Sequence, residues 1–158
     1  MTTNDPLAPL ADLPGVAEAG EEAREALGRA HRHRTNLRGW PMTAAEAALR
    51  AARASAVPNG ASVSSSPWAT AASTGAGTAD GVVARAVSRL VTIASGLDPH
   101  GLGVPEVFWL RHSGDYRAAA RGFASGTPDG LAVWLVLSSR AMHAGAREAL
   151  SIAAAAAS

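Results

Sequence analysis

The chain contains no cysteine and no lysine, and only four Trp, two Phe and one Tyr among its 158 residues. Without thiols it forms no disulfide and no thiolate metal site, and a reducing cytoplasm is the expected compartment. An excess of charge is lacking as well. Fourteen arginines face thirteen acids, a net charge of +1, which argues against an electrostatic nucleic-acid binder. The longest run of large apolar residues, Leu131 to Leu137, is too short to span a bilayer, so no membrane is expected. The opening "MTTNDPLAPLADLPG" has neither a basic leader nor a long apolar stretch, and no signal peptide is expected. Hydrophobic residues make up 47% of the chain, but alanine dominates them. The core they build is thin in bulky groups.

What is present is helical punctuation. Residues 1–13 read as a loose, proline-containing arm. Residues 14–56 read as a helical pair. The first helix begins at Pro14 and runs to about residue 34, its acids early and its arginines and histidines late, as the macrodipole favours. Val16, Ala19, Ala23, Ala26 and Leu27 form its apolar stripe. Gly39 and Pro41 are expected to break the chain, and Thr43-Ala44-Ala45-Glu46 has the capping-box pattern for a second helix over 43–56. Residues 57–79 carry no charge and no period, and read as a flexible connection. A helix over 80–95 places Val83, Ala86, Val87, Leu90, Val91 and Ala94 on one face and Arg85, Ser88, Arg89 and Thr92 on the other.

Gly96 stops that helix. Pro105 opens a short one, Ser113 is expected to cap another, and Gly126 ends it. Thr127-Pro128-Asp129 is a cap, a proline at the first position and an acid, starting a last helix over about 128–150. "LAVWLVL" within it is expected to be central core, with Trp109 and Trp134, and "SIAAAAAS" a fraying end. No strand pattern is found, so the fold class is all-α.

The stretch "GTADGVVARAVSRL" carries the candidate chemistry. A glycine-containing turn at a helix start presents free N–H groups to an anion, and Arg85 one turn in adds a charged donor. The alternative is that Asp80 caps the helix and fills the place an anion would take. Gly75 and Gly77 lack the strand and third glycine of a dinucleotide fingerprint. Histidines 31, 33, 100, 112 and 143 lack partners at metal-ligand spacing, and no Gly-x-Ser-x-Gly elbow is present.

From about Gly77 to Ala149 the order of pieces resembles the Fic (Fido) family of the actinobacterial type, whose active members transfer AMP from ATP to protein hydroxyls. Laid on the family's His-x-Phe-x-Asp/Glu-Gly-Asn-Gly/Lys-Arg-x-x-Arg run, Gly81 falls at the second glycine, Asp80 near the asparagine and Arg85 at the final arginine. "SGDYRAAARGFASGTPDGLAVWLVLSSRA" is similar to the family's tail. The second helix echoes a regulatory Ser-x-x-x-Glu-Gly element at Ser55 and Gly60, with Asn59 in the glutamate position.

The departures are as informative. The general-base histidine falls at Thr74, which does not take a hydroxyl proton at neutral pH as imidazole does. The phenylalanine position is Ala76, the first glycine is Ala79 and the first arginine is Val82. The family also places more helices and a β-hairpin flap where residues 57–79 stand. The resemblance therefore implies a shortened, degenerate Fic-like helical domain over residues 80–158, without AMP transfer. It implies a weak nucleotide or phosphate site at Gly77, Asp80, Gly81 and Arg85, with Ser55, Asn59 and Gly60 as regulatory positions and ATP with Mg²⁺ as candidate ligands. The alternative is a helical protein-interaction module, pairing with a protein partner or with itself through apolar faces left uncovered on helices 14–34 and 80–95.

Overall fold

A computed structural model describes residue 5, residues 7–56 and residues 78–157, with side chains of 78–81 outside that description. Among the described residues there is no strand. A 3-10 turn, Ala8–Asp12, precedes helices α1 (Val16–Arg32), α2 (Arg34–Ala56), α3 (Thr78–Ala94), α4 (Pro105–Arg111), α5 (Ser113–Ala124) and α6 (Pro128–Ala155). The all-α expectation holds. Among the described residues no helix is long and apolar enough to cross a membrane.

Helix α6 is the axis on which α1, α2, α4 and α5 pack. The interfaces are built of small residues. Ala26 and Leu27 of α1 meet Ala146 of α6, while Ala30 meets Ala149 and Leu102. Ala47 and Ala51 of α2 meet Ile152 and Val104. Alanine stripes allow close approach, which compensates in contact density for the missing bulk. The larger side chains gather at one end, where Tyr116 and Trp134 form a cluster with Trp109 and Phe123. Trp109 and Trp134 are thus core residues, as expected, and α1 buries the alanine stripe predicted for it.

Local signals with local causes are met. Gly96 (φ 77°) and Gly126 (φ 71°) terminate α3 and α5 in the left-handed region. Thr127 Oγ1 accepts the Gly130 N–H at 3.1 Å and Pro128 opens α6.

Several expectations are corrected. The arm is not wholly loose: residues 8–12 form the 3-10 turn and contact α1. The break expected at Gly39 and Pro41 is present, with a short helical segment already formed between it and the end of α1. The chain kinks at Gly39 (φ −131°, ψ 23°) and continues, because Pro41 then lies in the first turn of the resumed helix, where its missing N–H costs nothing. Thr43 does not close a capping box. Its hydroxyl donates to Asn36 Oδ1 at 2.7 Å, and buried Asn36 donates to the Ala30 carbonyl at 2.7 Å, satisfying the end of α1. Ser113 is the first residue of α5, and the cap position is His112, which stacks on Phe108 at 4.0 Å. The last helix does not fray at residue 150: it runs to Ala155 because Ile152 and Ala153 are buried.

Gly145 marks the tightest crossing. A Cβ there would lie 2.7 Å from Pro105 N and 2.8 Å from Val104 N. Its carbonyl accepts the Val104 N–H at 3.2 Å, so the loop cannot retreat without losing that bond. Gly145→Ala is expected to lower stability by about 1–3 kcal/mol through overpacking, read as a lower denaturation midpoint. An unchanged midpoint would contradict the close crossing.

Candidate functional site

Helix α3 sits with its polar face toward the protein. Ala84 is buried, and Arg85, Ser88, Arg89 and Thr92 are half-buried. Val82, Val83, Val87, Leu90 and Val91 are between 43% and 64% exposed. The apolar face of α3 is thus left uncovered, as the association alternative expects for this helix, whereas α1 buries its stripe. The reason is the demand of backbone groups that lie beneath the helix.

Those groups belong to the loop between α3 and α4. Residues 101 to 106 are all buried, and buried backbone groups need partners. The Asp98 carboxylate accepts the Leu102 N–H at 2.9 Å and the Gly103 N–H at 2.8 Å, and lies 2.8 Å from His31 Nε2 on α1. Arg89 donates to the Gly101 carbonyl and, at 3.0 Å, to that of Gly103. Its guanidinium is also 3.7 Å from Glu106 Oε1. One turn earlier, Arg85 Nε donates to Ser55 Oγ at 3.0 Å and Nη2 to the Ser55 carbonyl at 3.1 Å. A guanidinium at the last turn of α2 complements its dipole and takes up an otherwise unpaired carbonyl. Two arginines therefore fasten α3 to the molecule, one to α2 and one to the loop.

Glu106 is buried at the start of α4, and among the described residues its Oε2 has no hydrogen-bond partner. Desolvation pushes its carboxyl above the usual value, and its own backbone N–H and the cations of Arg89 and Arg85 offset only part of that. Beside it lies the Trp109 indole, whose Nε1 is buried and also without a partner among the described residues. Both line a narrow cleft with Arg85, Ser88, Thr92 and Met142. These four residues and Trp109 also border a larger cavity of about 320 Å³ beneath α3, walled on its far side by Tyr116, Trp134 and Leu135, with Ser138 and Ser139.

The sequence-predicted residues fall as follows. Ser55 and Arg85 are brought together by the pair of hydrogen bonds above. Asp80 and Gly81 lie inside α3, which runs from Thr78 and not from residue 80, so neither is in a loop before the helix. Gly77, Asn59 and Gly60 lie outside the described residues. Sequence reasoning misses Asp98 and Glu106. The signal for Asp98 is its place in "GLDPHGLG": a carboxylate followed by two glycines suits a loop whose N–H groups must be gathered. Histidine 31 is a partner of Asp98, His100 stacks on Trp40 at 4.3 Å, and among the described residues no group of three or more potential metal ligands forms.

No protein-family model matches this chain, and no curated protein and no solved structure shows significant similarity to it.

A carboxyl whose folded value is raised binds its proton more tightly in the native state. Its contribution to stability is complete below the ordinary value of 4.5 and is lost as pH rises through the raised folded value. Glu106→Gln is therefore expected to remove that loss: the stability difference between variant and parent grows in the variant's favour as pH rises from 4.5. Denaturation midpoints across the acid range check this, and parallel profiles for the two proteins would contradict it.

Proposed function

We propose that the chain is a helical association module that pairs with a second copy of itself through the outer face of α3. The observation that carries this is the exposure of Val82, Val83, Val87, Leu90 and Val91 on one helix, whose two arginines are both turned inward and engaged. Val83, Val87, Leu90 and Ala94 follow the 4-3-4 spacing of a helix-pairing seam. From Val82 to Ala94 the outer face carries no charge. A charged partner finds nothing on it to select, whereas an uncharged apolar stripe is complementary to itself across a two-fold axis. Exposed apolar patches of this kind mark association surfaces.

A second reading follows the Fic-like resemblance: a degenerate domain without AMP transfer that keeps a weak phosphate contact at Arg85. What supports it is the Ser55–Arg85 contact between positions thirty residues apart, since the resemblance gives Arg85 to the phosphate site and Ser55 to the regulatory element that restrains it. The described residues fit ATP and Mg²⁺ poorly. Arg85 Nε and Nη2 already donate to Ser55, Arg89 donates to loop carbonyls, and no acidic cluster able to hold a metal forms among them. The association reading takes precedence for that reason.

Light scattering after size exclusion separates the two. The parent chain is expected to run as a dimer, and Leu90→Asp as a monomer with unchanged helical circular dichroism. A parent that stays monomeric at high micromolar concentration contradicts the pairing. A melting temperature raised by Mg-ATP in the parent but not in Arg85→Ala supports the second reading, because a ligand bound only to the native state stabilises it.

A further inference from the structure

We infer that the corner where α1 meets α2 docks on an anionic lipid surface, with its arginines on the headgroup phosphates and its exposed apolar side chains in the interface. Charge is the first observation. Residues 26–45 hold Arg29, Arg32, Arg34 and Arg38 and no acid, so the other ten arginines of the chain face all thirteen acids. The near-neutral total therefore conceals a basic segment, and such asymmetry points to an anionic surface as partner. The flanking acids do not neutralise it. Glu25 lies 3.6 Å from Arg29, and Glu46 lies 2.8 Å from Arg50. Arg32, Arg34 and Arg38 are exposed and form no ion pair among the described residues.

Placement is the second. Arg34, Leu37 and Arg38 stand at i, i+3 and i+4 of the short helical segment before Gly39, and so share one face. Asn36, on the opposite side, is buried, which turns the three outward. The Thr43 hydroxyl donates to Asn36 at 2.7 Å and fastens this segment to the helix beyond the break. Leu37 is 67% exposed, and Met42, just after the break, is 58% exposed. Between them Trp40 is held at the surface by His100, which covers one face of its ring at 4.3 Å.

The combination selects among anionic partners. A guanidinium pairs two N–H groups with a phosphate, and Trp, Leu and Met side chains are at home at the boundary between headgroups and acyl chains. A single-stranded nucleic acid binds by stacking successive bases on several aromatic faces. Here there is one ring with one face taken, and Leu37 and Met42 would stay in water. A peptide partner takes a groove, but the cleft that Met42 lines includes neither Arg34, Arg38 nor Trp40. Among the described residues no helix can cross a bilayer, so the attachment is to the surface. It uses no residue of α3 and is independent of pairing through that helix.

The test is co-sedimentation of the full chain with phosphatidylcholine vesicles, with or without about one third phosphatidylserine. The parent is expected to sediment with the anionic vesicles alone, and to be released by high salt because the arginines are exposed and screened. Removing two surface cations with Arg34→Gln/Arg38→Gln is expected to weaken partitioning about thirtyfold. Arg111→Gln/Arg121→Gln removes the same charge from exposed positions elsewhere and is expected to bind as the parent does. Leu37→Ser is expected to weaken binding about tenfold through lost apolar burial. Failure of the parent to bind anionic vesicles at low salt overturns the proposal. So does equal binding to neutral vesicles, or equal weakening by the two double variants. Unchanged binding of Leu37→Ser, or tighter binding of the parent to an oligothymidine or to polyglutamate than to the vesicles, assigns the corner to another polyanion and overturns it too. Should the first double variant fail to fold, Leu37→Ser and the comparison of the two vesicles still decide.

Discussion

The structure turns on how the buried loop between α3 and α4 is satisfied. Its backbone presents N–H groups and carbonyls to the protein interior, away from any helix ladder. Asp98 takes the donors of Leu102 and Gly103, and Arg89 takes the acceptors of Gly101 and Gly103. Each such group left unpaired would cost about 1–3 kcal/mol, which in a domain of marginal stability is decisive. Once Arg89 is committed to the loop, the rotation of α3 about its axis is set. Arg85, one turn away on the same face, then meets the end of α2, and the valines and Leu90 face outward. The exposed stripe is thus the other side of a polar requirement.

That arrangement also creates the space beneath the helix. The inward residues of α3 are Ala84, two hydroxyls, two arginines whose heads reach past the interface to their partners, and Ile93, which sits against Gly101. None of these fills the volume in front of Trp109, Tyr116 and Trp134, as the Val and Leu side chains of the opposite face would have done. The same rotation therefore accounts for an apolar surface outside and an aromatic cavity inside.

Much of the fold is legible in the sequence because its causes are local. Gly96, Gly126 and the Thr127-Pro128 pair act through their own φ angles and their own hydrogen bonds, and the alanine stripe of α1 follows from helical period alone. The outward turn of α3 is legible only as one of two alternatives. The spacing of apolar residues tells which stripe of a helix is apolar, but not what polar groups wait on the protein side. The partners that decide the matter are Ser55, thirty residues before Arg85, and Gly101 and Gly103, twelve and fourteen residues after Arg89. The break at Gly39 is legible in the sequence from the glycine and from Pro41 two residues on. Proline 41 looks like a helix breaker in sequence, and becomes a helix starter only once Gly39 has turned the chain. Of the candidate site, Arg85 and Ser55 stand out through a family pattern and do meet, whereas Asp98 and Glu106, which organise the region, carry no motif and show themselves only through burial.

The central claim, that α3 faces outward with its valines and pairs through them, is most directly tested by cysteine cross-linking, which the absence of native cysteine makes unambiguous. Val87 lies near the midpoint of α3, where a residue meets its own copy in a two-fold pair. Under mild oxidation Val87→Cys is predicted to form a covalent dimer, while Ser88→Cys, on the inward face, stays monomeric. Cross-linking of Ser88→Cys in place of Val87→Cys, or of neither, would contradict the account.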